Sequence, residues 1–164
     1  MALTILIRTQ LNSIPVLSDD CFTKANYGVN TNTTLSVNTP RGVLGGSVAG
    51  ISPGADYTVV PCTDDLRPVG LFVNDAAGAA FENSPAVASG KIAVIKGMAS
   101  VEVDVYETRN VLDNADLVYI VGQLLYCSAQ GFLTYEVSTE ATVIGVCTKA
   151  PQTASPTLGL DMRI

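Results

Sequence analysis

The sequence contains no histidine and no tryptophan. Without histidine the usual general base, the proton shuttle and the commonest metal ligand are all missing. A Ser-His-Asp or Cys-His nucleophilic site cannot be built. Charge is sparse as well: 15% of the residues are charged, against about a quarter in an average soluble protein. Nine Lys and Arg face fifteen Asp and Glu, for a net charge of −6. The basic residues are scattered from Arg8 to Arg163. No cluster of them can track a phosphate backbone or an anionic membrane surface, so neither partner is expected. Aromatic residues make up 6% of the chain, which counts against a carbohydrate-binding module with a platform of exposed rings.

Other absences narrow the chemistry further. No CxxC pair links Cys21, Cys62, Cys127 and Cys147, so they read as reduced, buried, small apolar side chains. Zinc would have to be held by dispersed cysteines and carboxylates alone. The adjacent acids Asp19-Asp20 and Asp64-Asp65 lie beside turn signals. Neighbours on a strand point to opposite faces, so such pairs make poor acid–base dyads and serve as turn or cap residues. No EF-hand spacing occurs. The run Gly42-Val-Leu-Gly45-Gly46-Ser47 lacks the Lys-Ser/Thr of a phosphate loop. Cys127 has no basic neighbour to activate it. No catalytic residue, cofactor site or metal site is therefore expected, and the chain is read as a non-enzyme.

Long apolar stretches are missing too. Leu117–Tyr126 is only strand-length and is interrupted by Gly122 and Gln123, too short to span a membrane. Met1–Arg8 has an apolar run with no basic residue ahead of it, so no secretory leader is expected. Helical periodicity is weak. The best candidates are the Ala-rich 74–81, interrupted by Gly78, and 18–26 with Ser18 as N-cap.

What is present is β-structure. Strands are expected at 3–9, 34–37, 57–60, 69–73, 91–95, 100–106, 117–125, 132–136, 142–147 and 159–163. The clearest is 100–106, with Val101, Val103 and Val105 on one face and Glu102, Asp104 and Tyr106 on the other. Gly, Pro, Asn and Asp separate these runs at short intervals. The fold class is all-β, a small barrel or sandwich with at most short helices and an N-terminal arm. Residues 1–49 form one segment: an N-terminal strand and a Gly/Thr/Asn-rich stretch. Overlapping its end, 23–54 reads either as a loop or arm that orders on binding or as ordinary edge strands and turns. Residues 50–164 form a compact β-domain.

The domain contains an internal echo. Val69-Gly70-Leu71 and Ile144-Gly145-Val146 are both apolar-Gly-apolar, each after a hydroxyl residue, an acid and a small apolar lead-in. The offset between the two glycines is 75, from Gly70 to Gly145.

Around the second copy the order is Gly122, Leu124 and Tyr126, then Gly131 and Leu133, then Glu140-Ala-Thr-Val-Ile-Gly-Val146, a Pro/Ala-rich loop, and Leu158-Gly-Leu160. This resembles the head decoration, or cement, proteins of tailed bacteriophages over roughly residues 50–164. The resemblance implies a structural protein of the virion. It would be made in the host cytoplasm and bound to the major capsid protein on the outer face of the head, as a homo-oligomer with a trimer favoured. The N-terminal strand would then be the contact arm, with Leu3, Ile5, Ile7 and Arg8 as capsid or subunit contacts, adding to a neighbour's sheet edge. The alternatives are a tail-tube or head-fibre protein and, from other classes, a carbohydrate-binding module or a carboxylate-dependent enzyme.

Overall fold

A computed structural model of the chain describes residues 3–6, 28–29, 44–51, 58–63, 66–73, 94–110, 112–137 and 141–164. All regular structure among them is β: β1 (Leu3–Leu6), β2 (Gly28–Val29), β3 (Val48–Ile51), β4 (Thr58–Pro61), β5 (Pro68–Phe72), β6 (Val94–Ile95), β7 (Ser100–Val103), β8 (Leu124–Cys127), β9 (Leu133–Thr134), β10 (Gly145–Lys149) and β11 (Leu158–Met162). Two sheets form. One has the order β1-β7-β11-β10-β8-β9 and the other β2-β4-β3-β5-β6. The fold is an all-β barrel or sandwich, as the strand spacing predicts. The helix candidates at 18–26 and 74–81 and the strand at 34–37 lie outside the described residues.

The sheets share one core. Val48, Leu71 and Ile95 from the five-stranded sheet are buried with Val101, Val103, Leu125, Leu158 and Leu160 from the six-stranded one. The alternation in β7 produces this directly. Val101, Val103 and Val105 are all buried, while Glu102 is half-buried and Asp104 exposed. Each such valine contributes roughly 1.5–3 kcal/mol relative to exposure. Pro68 opens β5, where its missing N–H is tolerated.

The Gly-rich stretch 42–54 holds more structure than a loop. It contains β3, the central strand of the five-stranded sheet, paired with β4 on one side and β5 on the other. β3 also runs across the division drawn at residue 49.

The two echoed glycines occupy equivalent places. In the order β4-β3-β5-β6, the first strand in sequence pairs with the second and the third, and the third pairs with the fourth. The order β9-β8-β10-β11 repeats this, and every pairing is antiparallel in both. Gly70 stands opposite Ala49 on β3, and Gly145 opposite Leu125 on β8. A methyl group on Gly70 would collide with the carbonyl oxygen of Ile95 on β6, and one on Gly145 with that of Asp161 on β11. The correspondence reaches one strand further. β2 runs parallel to β4 through Val29 and Val59, and Tyr106 bridges Leu133 of β9, also in parallel.

Candidate functional site

Between β7 and β8 the chain leaves the sheet and is held by specific hydrogen bonds. Arg109 bridges Asp116, and the Asn110 N–H donates to the Ala115 carbonyl at 2.8 Å. This makes a small hairpin. The Asn110 Oδ1 accepts from the Leu112 N–H at 2.7 Å, and Asn114 takes the left-handed conformation at φ 59°. Asparagine does both at low cost, which is why the turn forms here. The Asn110 side chain also donates to Glu136, fixing the hairpin beside the stretch after β9. At the tip Leu112 is 95% exposed.

The next stretch, 117–123, departs from expectation. A strand is expected over 117–125 despite Gly122 and Gln123, but of these residues only Leu124 and Leu125 belong to β8. Tyr119 turns into the core, where its hydroxyl donates to the carbonyls of Glu107 at 2.6 Å and Leu133 at 3.2 Å. Its ring meets Tyr106 and Tyr135 edge-on, with centroids 5.4 and 5.3 Å away. Burial raises the pKa of this hydroxyl well above the usual tyrosine value, with the nearby Glu107 charge adding to the shift. The chain then reverses. The Gln123 N–H donates to the Ile120 carbonyl at 3.1 Å, the Gln123 side-chain oxygen accepts from the Ile120 N–H at 2.7 Å, and Gly122 takes φ 95°. That φ suits glycine and breaks the strand.

Anchoring Tyr119 inward forces its neighbours outward. Val118, Ile120 and Val121 are 68, 61 and 63% exposed, and Leu124 and Val137 are also exposed. Single exposed apolar residues are ordinary on any protein. Here several sit on one braced connection, so this is the strongest candidate for a contact surface. Sequence reasoning missed it by assigning 117–125 wholly to a strand. The signals that mark it are the Asn110–Asn114 turn, the Gly122-Gln123 interruption, and the lack of any Lys or Arg between Arg109 and Lys149.

The residues proposed for contact from the sequence lie elsewhere. Leu3 and Ile5 are in β1, opposite Val103 and Val101 of β7. The strand therefore pairs with the chain's own sheet along one side, and it is the outermost strand there. Ile7 and Arg8 lie outside the described residues.

Several groups capable of chemistry among the described residues are buried or hydrogen-bonded. Cys62, Cys127 and Cys147 are buried, and burial raises the Cys147 thiol pKa. Glu107 accepts from the Ser128 hydroxyl at 2.6 Å. Glu102 accepts from Lys149 Nζ at 2.7 Å and from the Thr157 hydroxyl at 2.7 Å. The Lys149 hydrogen bond, with that of Thr157, holds the Glu102 carboxyl below the ordinary glutamate value. Among the described residues no group of three or more His, Cys, Asp and Glu is placed to hold a metal ion. No family model matches the chain, and neither does any curated protein sequence.

Proposed function

We propose that this chain is a non-enzymatic structural protein of a bacteriophage virion that binds the outer surface of the head and stabilises it. The observation that carries the reading is the braced, outward apolar connection from Leu112 to Val121 on an all-β body. A surface fixed before binding loses little entropy on docking. Many copies on one shell act together, so each needs only a modest interface. The sequence resemblance to decoration proteins supports the location and favours trimers. The absence of histidine supports a role without catalysis.

The test uses capsid particles from the genome that encodes the chain, assembled without it. Purified protein added to them is expected to appear on the outer head surface by electron microscopy and to raise the temperature at which the particles rupture. Density confined to a tail tube or a projecting fibre would replace this reading with the alternative. Bare particles at saturating protein would end it.

A further inference from the structure

We propose that the loop joining β10 to β11, residues 150–157, is a latch that the Glu102 carboxylate fastens to β7 and that acid loosens. The inference is independent of what the chain binds. One oxygen, Glu102 Oε2, holds both ends of the loop. Lys149, the last residue of β10, donates to it through Nζ at 2.7 Å. Thr157, the residue before β11, donates to it through its hydroxyl, also at 2.7 Å. Lys149 donates in turn to the Thr157 hydroxyl at 2.9 Å, which closes the triangle. Strand β11 lies between β10 and β7, and Gly159 stands in register between Lys149 and Glu102. A methyl group on Gly159 would come within 2.7 Å of the Lys149 Cβ, so glycine keeps the lysine's path across β11 open. One residue before Thr157, the Pro156 carbonyl accepts from the Tyr106 hydroxyl at 3.0 Å. The loop itself is a tight turn with Gln152 bridging Ser155, and residues 152–154 are exposed.

Of the groups that fasten the loop, Glu102 is the one that changes charge between neutral and acid pH. Lys149 stays a cation. The Tyr106 hydroxyl stays protonated, its pKa raised by burial. The residues opposite Glu102 are Thr4 on β1 and Gly159 on β11, both uncharged. On its own chain the outward neighbours are Ser100, whose hydroxyl donates to Asp161 of β11, and the exposed Asp104. The hydrogen bond from Lys149, then that from Thr157, holds the Glu102 carboxyl below the ordinary glutamate value. A depressed carboxyl pKa means that the fastening is fully present above the ordinary glutamate value and is lost as pH falls through the lowered one. A neutral carboxyl accepts hydrogen bonds roughly half as strong as an ionised one. The Lys149 and Glu102 side chains are 36 and 21% exposed, so the hold is modest and reversible. Leu158 and Leu160 remain fully buried in the core, which confines the loosening to the loop and bares Glu102 and the Tyr106 hydroxyl.

The experiment is NMR relaxation on the isotopically labelled full chain, from about pH 7 down to about pH 2.5, a span that brackets glutamate titration. Backbone order parameters of residues 152–155 are expected to fall from about 0.85 to below about 0.6, with those of β10 and β11 unchanged. Glu102→Gln should leave the loop loose at both ends of the range. Lys149→Met should move the Glu102 titration, followed at its carboxyl carbon, to higher pH. Asp161→Asn should leave the loop transition where it is. A loop equally ordered at both pH values, or as well ordered in Glu102→Gln as in the natural chain, overturns the inference. So does a Glu102 titration that Lys149→Met does not raise, or a loop transition that disappears in Asp161→Asn. A fall of the same size throughout β10 and β11 would be general acid unfolding and overturns it equally.

Discussion

At the scale of the single residue, Gly70 and Gly145 make the strictest demand on the sequence. Each lies inside a strand, where glycine ordinarily weakens pairing. Each faces the carbonyl of the next strand so closely that a methyl group does not fit. Gly145→Ala and Gly70→Ala are therefore expected to cost about 1–3 kcal/mol each, the usual range for over-packing. Urea denaturation should show midpoints lowered in both. Gly122→Ala is the informative contrast, because a methyl group there meets nothing within 4 Å and only its φ of 95° resists substitution. Its cost should be smaller and should come without any shift of strands.

At the scale of elements, some strands were legible in the sequence and others were not. β7 was legible because valine alternates with polar residues over a half-buried strand, and that pattern has one physical cause. β4, β5, β10 and β11 fall within or beside the runs expected for them, since branched residues bounded by turn formers leave few choices. β3 was obscured by its glycines. A glycine kept for a turn and one kept for close packing look identical in sequence. Gly50 is the second kind: a methyl group there would come within 3.0 Å of Cys62 Sγ and 3.2 Å of the Leu66 Cβ. The path of the connection between β7 and β8 was hidden for a related reason. Leu117, Val118, Tyr119 and Ile120 read as strand, yet a hydrogen bond from one hydroxyl decides their path, and its acceptors are distant in sequence. Tyr119→Phe tests that account. It should lower global stability by about 1 kcal/mol, the net worth of a typical hydrogen bond. Amide exchange should quicken most at residues 117–123 and little in β10 and β11. Uniform acceleration would mean that the hydroxyl does not brace this segment.

At the scale of the whole molecule, the two sheets carry the same four-strand order, and the six-stranded one is extended by β7 and β1 beyond β11. The repeated apolar-Gly-apolar motif thus falls on matching strands of two similar units that close over one core. β1 covers the edge of β7, which would otherwise present unpaired N–H and carbonyl groups. Removing residues 1–6 is expected to leave the core folded but to expose that edge. Analytical ultracentrifugation should then show concentration-dependent association absent from the full chain. A truncated protein that stays in the full chain's association state would mean that β1 does not guard the edge.

The anchoring of Tyr119 has a consequence for how such a surface changes over generations. Its hydroxyl bonds to main-chain carbonyls of Glu107 and Leu133, which every residue type supplies. The side chains on either side, Val118 and Ile120, take no part in that attachment and point away from the core. Variation at those positions is thereby separated from the requirement to fold. In the contact role proposed above, the connection is a cassette: changing its outward residues retunes what it adheres to while the body beneath stays the same.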